Sequence, residues 1–504
     1  MSDTRRYLRN ILWSWLGAAS IIVSGIIVSP FVIRRLGSAE FGIWSLALSL
    51  VEYLWLIDLG LRPATVKLTA EYHALSKDTE LAAMINTAAT YSAAAGLLLL
   101  LLVWPNADRI AAFFRITHPA FPLLVRLVGI SWSLGVVFNI YSAVIEGLQR
   151  FDLINRVSIT ATLLRSTAIL ALVAGGFGLR EMGVAMLASQ LFAYALIYAG
   201  CRRVAPRWRP SLRFFDRTQA RELWLLGRQA FAAMLATRIS QSSAPSLVAY
   251  FLPVRYVTYY SVTQRLVDYL GDLIGRIGLV TGPRVADWMA RGRRQDVILT
   301  AGQGNRYCLC LWGYFAGLLA VYGDQICRVW INEELGREAG ALLPVLLAGY
   351  TLIQGQFVSG AVLMGIGKFE RYAGSLFVEA LLMVAGLAWV LPRYGLLGAF
   401  AVISTLVALN RAAFLSWIFA RQMEIGLAEY LLFIYPRPLS LILASVAALA
   451  LCKQYFMAGR SWWELILVAG AFACLYAAAS LWLIVSPDHR RRLILKVKRW
   501  NRIG

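Results

Sequence analysis

This 504-residue chain is predicted to be an all-α polytopic membrane protein: about fourteen transmembrane helices, in two pseudo-symmetric six-helix lobes plus two peripheral C-terminal helices. Three observations predict it. The chain is 59% hydrophobic and 15% charged, where a soluble domain is nearer half apolar and a quarter charged. Apolar runs long enough to cross a bilayer recur along the whole length. Two stretches about 216 residues apart also run in parallel. The first reads Phe41-Gly42-Ile43-Trp44-Ser45-Leu46-Ala47 and then Val51-Glu52-Tyr53. The second reads Val257-Thr258-Tyr259-Tyr260-Ser261-Val262-Thr263 and then Val267-Asp268-Tyr269. Internal duplication with an acid at the same deep position in both copies is a transporter pattern.

Taken in order, the first apolar run (11–33) follows Arg5, Arg6 and Arg9. It is too long for a signal-peptide core and lacks a small-residue cleavage site, so it reads as a retained helix. Segments 42–64, 84–104, 119–144, 157–177 and 182–200 complete the N-terminal lobe (1–204). A basic linker (205–222) follows; the loop containing it carries Arg202, Arg203, Arg207, Arg209, Arg213, Arg217 and Arg221. Segments 223–250, 256–282, 299–322, 340–366, 373–391 and 396–419 form the C-terminal lobe (223–420). Segments 431–452 and 463–485 lie outside the repeat, within 421–504, and precede a basic tail with Arg490, Arg491 and Arg492. Lys and Arg concentrate in alternate loops, so the net charge of +22 reflects the positive-inside rule and excludes nucleic acid as a partner. Anionic lipids are the expected contacts of these loops. The even helix count and the basic termini place both ends in the cytoplasm.

The duplication recurs at turns. Glu146-Gly147-Leu148-Gln149-Arg150-Phe151-Asp152 parallels Met364-Gly365-Ile366-Gly367-Lys368-Phe369-Glu370, and Leu179 to Val184 parallels Leu396 to Ala399. An even number of helices per repeat gives both halves one orientation, with the pseudo-axis along the membrane normal.

Charges inside the spans carry the chemistry. Arg265, Asp268, Asp272 and Arg276 share one helical face of 256–282. Each costs about 2.5–3.5 kcal/mol at mid-bilayer, so that face lines a polar cavity or pairs within the bundle. Static i,i+3 or i,i+4 bridges among the four are the plain structural alternative. Segment 42–64 repeats the scheme with Glu52, Asp58 and Arg62, while Arg165, Arg228 and Arg238 add further deep cations. The deep arginines outnumber the acids near them. A guanidinium surplus implies an anionic ligand, and its forked donors suit phosphate or pyrophosphate. Glu379 lies in 373–391 without an obvious local partner and reads as a proton or cation site. Arg306, Arg411 and Arg421 read as snorkelling anchors near cytoplasmic ends.

Other signals are weak. The six cysteines are scattered, and Cys308-x-Cys310 has no His or second Cys pair nearby, so no metal or cofactor is expected. His73 and His118 lie in loops and His489 in the tail, leaving no histidine proton relay. Gly365-x-Gly367-Lys368 lacks the spacing and preceding strand of a phosphate loop.

The stretch from Pro30 to Trp44, with Arg34-Arg35-Leu36-Gly37 and Glu40-Phe41-Gly42, and the later Leu56-Ile57-Asp58-Leu59-Gly60-Leu61 resemble the start of the Wzx-type polysaccharide flippases. These belong to the multidrug/oligosaccharidyl-lipid/polysaccharide exporter superfamily. The resemblance implies fourteen helices in two lobes around a cationic cavity, in the bacterial inner membrane. It also implies alternating-access translocation of undecaprenyl-diphosphate-linked oligosaccharide for exopolysaccharide, capsule or lipopolysaccharide synthesis. Carried onto this sequence, it makes Arg62, Arg165, Arg228, Arg238, Arg265 and Arg276 candidate ligands of the diphosphate and sugar. Glu52, Asp58, Asp268, Asp272 and Glu379 are the candidates for ion coupling or charge balance. A polysaccharide polymerase or glycosyltransferases are candidate partners.

A cation-coupled drug exporter of the same superfamily is the nearest alternative, disfavoured because a positive cavity repels cationic drugs. A membrane glycan polymerase or ligase would need catalytic carboxylates or His in a large outer loop, so an enzyme is not expected. The longest outer loop here runs only from about Asp324 to Glu338.

Overall fold

A computed structural model describes residues 3–52, 60–206, 208, 215–366, 368, 370–455 and 461–484. Among these residues there are helices and turns and no strand. The chain divides into two compact units, Met1–Thr258 and Tyr259–Gly504.

The first unit contains α1 (Asp3–Leu36), α2 (Ser38–Glu52), α3 (Leu61–Ala74), α4 (Asp78–Phe113), α5 (Ala120–Gly147), α6 (Phe151–Ala174), α7 (Leu179–Val204) and α8 (Arg217–Phe251). Its core gathers Leu68, Met84, Ile85, Ile140, Val144 and Trp208, and the Trp208 Nε1 donates to Asn86 Oδ1 at 2.9 Å. The Asp216 side chain accepts from Thr218 N at 2.7 Å and starts α8. That helix packs against α2, α3 and α4. Two glycines make the approach possible. A Cβ on Gly42 would lie 2.2 Å from the Val254 carbonyl oxygen, and one on Gly60 would lie 2.2 Å from that of Gly227. Gly60 also takes φ +77°, which glycine adopts without steric cost. The packing boundary therefore falls after α8, whereas the sequence repeat starts its second copy before that helix. One describes contacts and the other ancestry.

The second unit contains α9 (Arg255–Ala290, from Tyr259 onward), α10 (Arg294–Trp330), α11 (Glu333–Gln354), α12 (Phe357–Gly365), α13 (Glu370–Val407), a π-helical segment (Ala408–Phe414), α14 (Leu415–Gln422), α15 (Leu427–Ile434), α16 (Pro436–Tyr455) and α17 (Trp462–Leu483). Asn332 caps α11 through Leu335 N at 2.9 Å. Helices α16 and α17 pack on α10 around Tyr322, Leu449, Phe472 and Tyr476. Lys453 joins them to α10 through Asp324 Oδ1 and the Val321 carbonyl, both at 2.6 Å.

Within α13 the chain reverses at Gly395 (φ 57°, ψ −149°), a conformation open essentially to glycine alone. Pro392, three residues earlier, helps end the first arm. Segments 373–391 and 396–419 are thus the two arms of one helical hairpin. The span expected at 340–366 is the bent pair α11 and α12, broken by 47°.

Among the described residues, eight helices are long and apolar enough to cross a membrane, or nine if the bent pair counts as one span. Helices α8, α9 and α10 are 35, 36 and 37 residues long but too polar to meet that criterion. In a bilayer such helices need polar surroundings on one face. Of the span expected at 42–64, residues 53–59 lie outside the described residues.

The duplication is visible in backbone hydrogen bonds. After α5, Leu148 N donates to Val144 O and Arg150 N to Ile145 O, each at 3.0 Å. After α12, Ile366 N donates to Val362 O and Lys368 N to Leu363 O, again at 3.0 Å. Every member of the second set lies 218 positions after its counterpart. These are the i→i−4 and i→i−5 bonds that satisfy orphan carbonyls at a helix C-terminus.

Candidate functional site

Glu379 and Arg411 each stand sixteen residues from Gly395, so the hairpin brings them opposite one another about 24 Å from its turn. Arg411 Nη2 lies 2.7 Å from Glu379 Oε1, and its Nε lies 3.1 and 3.2 Å from the two carboxylate oxygens. Asn410 Nδ2 donates to Oε2 at 2.7 Å. The carboxylate side chain is 1% exposed and the guanidinium side chain 25%. Neighbouring residues on a regular helix point about 100° apart, which would not aim Asn410 and Arg411 at one carboxylate. The wider π turn Ala408–Phe414 carries both, and such turns concentrate at functional positions.

Tyr372 and Tyr350 lie within electrostatic reach of this pair. Gln264 extends the cluster outward, donating through Nε2 to Tyr350 Oη at 3.0 Å and to Asp268 Oδ1 at 2.8 Å. Gln264 thus joins Tyr350, on the side of the buried pair, to α9. On α9 the two faces differ sharply. Tyr260, Thr263, Val267 and Ile274 are buried, while Arg265, Asp268 and Asp272 are exposed. Arg265 also hydrogen-bonds Tyr269 one turn on.

In the first unit, Arg62 Nη2 pairs with Glu146 Oε2 at 2.6 Å, with side chains 36% and 25% exposed. Arg165 is partly buried on α6, beside Ser166, whose hydroxyl bonds Ser24 of α1. Tyr72 Oη lies 2.8 Å from Glu222 Oε2 and 3.0 Å from Gln219 Oε1, tying α3 to α8. Burial, and then the Glu222 carboxylate, push the Tyr72 hydroxyl up to about 12.

Of the sequence-predicted residues, Asp58 lies outside the described residues, as do the side chains of Glu52, Arg228, Arg238 and Arg276. The structure joins Asp268 through Gln264 to Tyr350, which lies within electrostatic reach of Glu379, with Arg265 and Asp272 on the same α9 face. Two expectations are corrected. Glu379 has a partner, and that partner is Arg411, a residue read from sequence as an interfacial anchor. The sequence clue was their equal distance from Gly395. Arg306 is not a snorkelling anchor either: it is only 9% exposed, beneath the Phe433 ring. Arg421 is exposed and sits over Trp417, as an anchor would. Sequence reasoning also missed Glu146, Gln264, Tyr350 and Asn410, which are ordinary helix residues until the packing is known. Among the described residues, no group of three or more His, Cys, Asp or Glu is placed to hold a metal.

The family model described as polysaccharide biosynthesis protein matches residues 31–287. A proposed O-antigen transporter of Shigella flexneri is 23% identical over 432 residues, covering 83% of this chain and 99% of that protein. Among solved structures, the lipid II flippase MurJ in an inward closed conformation superposes with a TM-score of 0.73 at 10% identity, over 93% of this chain and 98% of that one. An inward-facing multidrug resistance MATE family transporter of the MOP superfamily gives 0.63 at 15% identity, over 82% and 96%. At these identities the structural likenesses establish the fold alone.

Proposed function

The chain belongs to the polysaccharide biosynthesis protein family, and from that premise we propose that it is a flippase for lipid-linked oligosaccharide. It carries undecaprenyl-diphosphate-linked repeat units across the bacterial inner membrane by alternating access, with both termini cytoplasmic and without covalent chemistry on its cargo. The supporting observation is the exposed Arg265, Asp268 and Asp272 face of α9, set against a buried opposite face. Lipid does not tolerate three such charges on one face, so the face borders water. A watered, arginine-bearing face inside a membrane is what a diphosphate headgroup needs, while a polyprenyl tail stays in hydrocarbon.

In this reading Arg62, Arg165, Arg228, Arg238, Arg265 and Arg276 engage diphosphate and sugar. Glu52, Asp58, Asp268 and Asp272 supply charge balance or ion coupling. Glu379 balances Arg411, and Gln264 joins Tyr350, on the side of that pair, to Asp268. Transport in one direction requires a bias between the two access states, supplied by an ion gradient or the membrane potential. A polysaccharide polymerase or glycosyltransferases would act on the same lipid-linked glycan before or after it crosses.

The test is reconstitution into liposomes with a fluorescent polyprenyl-diphosphate sugar and measurement of leaflet exchange. Exchange faster than in empty liposomes, reduced in Arg238→Ala and Arg265→Ala, is the expected outcome. Wild-type exchange equal to that of empty liposomes under every imposed gradient refutes the flippase reading. Unchanged rates in both variants refute the residue assignment alone. Preferential exchange of a cationic drug would instead favour the drug-exporter reading.

A further inference from the structure

We infer that a basic site where α10, α15 and α16 meet holds the phosphate of an anionic phospholipid, with Arg306 and Arg437 as its two cations. Arg306 carries a charge it cannot shed, yet it is only 9% exposed. Its Nε is buried without a hydrogen-bond partner among the described residues. The Phe433 ring covers the guanidinium at 4.9 Å to the centroid. Gly302, one turn earlier, leaves the space for that ring: a Cβ there would sit 2.7 Å from it. A cation–π contact offsets only part of the cost of burying a charge.

The other groups felt by Arg306 do not supply the balance. They are the Arg437 guanidinium, which repels it, and the Tyr307 phenol. Glu424, an acid at the same end of the bundle, is held by Arg294 at 2.8 Å. Two guanidiniums in reach of one another, one of them buried, with no ion pair to either among the described residues, call for an anion from outside the chain.

Phosphate matches the forked donors of arginine. The site's position selects a phospholipid as the source. Arg306 lies on the half of α10 that carries Arg294, twelve residues from it, toward the end of the helix where basic residues gather and anionic headgroups bind. Leu432 and Leu443, each 69% exposed on α15 and α16, offer apolar surface to acyl chains beside it. Arg437, Leu432 and Leu443 lie on α15 and α16, outside the sequence repeat that carries the α9 face, while Arg306 on α10 lies within it.

Native mass spectrometry of the full chain in neutral detergent tests this, by titrating phosphatidylglycerol against phosphatidylcholine. Wild type should retain phosphatidylglycerol about thirtyfold more tightly, the equivalent of two arginine–headgroup contacts. Arg437→Gln, an exposed change compatible with folding, should cut that preference to about fivefold, and Arg306→Gln should do the same. Arg421→Gln should leave it intact. Equal loss in Arg421→Gln would mean diffuse surface charge and overturn the site. So would absence of any preference, displacement by a polyprenyl diphosphate, or saturation by inorganic phosphate alone.

Discussion

Breaking the Glu379–Arg411 pair should destabilise the second unit far more than removing the pair altogether. In Glu379→Leu the guanidinium keeps a 25% exposed side chain but loses three close contacts to a carboxylate. Loss of one partner from a buried ion pair costs about 3–5 kcal/mol, and partial exposure of the survivor places this variant near 3 kcal/mol. Arg411→Leu strips the 1% exposed carboxylate of its guanidinium while Asn410 still donates to it, which places this variant near the upper end, about 5 kcal/mol. At about 1.4 kcal/mol per tenfold, these are losses on the order of a hundredfold and a thousandfold in folding equilibrium. The double variant Glu379→Leu/Arg411→Leu should recover most of the stability, since apolar replacement of a whole buried pair is often neutral. Reversible unfolding in mixed micelles, followed by tryptophan fluorescence, gives all four corners of the double-mutant cycle. A coupling energy below about 1 kcal/mol would refute the reasoning, and so would a double variant no more stable than the weaker single.

Three further outcomes follow from the same coordinates. Gly60→Ala and Gly42→Ala place a Cβ 2.2 Å from a carbonyl oxygen and should lose folded yield, with Gly60→Ala worse because its backbone is also left-handed; size-exclusion recovery reads both. Arg62→Ala removes a half-exposed ion pair, so stability should change by less than about 1 kcal/mol, whereas leaflet exchange should fall several-fold if Arg62 engages the headgroup. The Arg294 hydrogen bond and charge hold the exposed Glu424 carboxyl below its ordinary value of 4.5. Its stabilising contribution is therefore complete above that value and disappears as pH falls through the lowered one. Thermal half-lives of wild type and Arg294→Gln should differ at pH 7 and converge in acid; a difference that grows in acid would contradict this.

Much of this architecture was legible in the sequence because its signals are local. The turns after α5 and α12 repeat residue for residue, and their backbone bonds repeat with them. The charged face of α9 followed from spacing alone, and three of its members, Arg265, Asp268 and Asp272, are exposed. What stayed hidden depends on contacts between segments distant in sequence. Distance from a helix end made Arg306 and Arg411 look like anchors, but that distance says nothing of what packs over them. Phe433 covers one and Glu379 neutralises the other. The glycines of the Phe41-Gly42 and Leu59-Gly60 motifs looked like family markers. Their physical role emerged only when α8 was found against them.

The π turn at Ala408–Phe414 has a genetic corollary. A π turn is an α-helix holding one residue more than its hydrogen-bond ladder accommodates. Deleting a single codon there would restore the regular ladder and leave the flanking helix segments in their present orientation, because the wider turn is what absorbs the extra residue. The side chains within the segment would shift by one place, so Asn410 and Arg411 could no longer both meet Glu379. One reading-frame-preserving deletion thus disconnects the buried pair without changing the identity of either charged residue in it. A deletion scan through this segment would distinguish the demand for register from the demand for charge, which substitutions alone leave entangled.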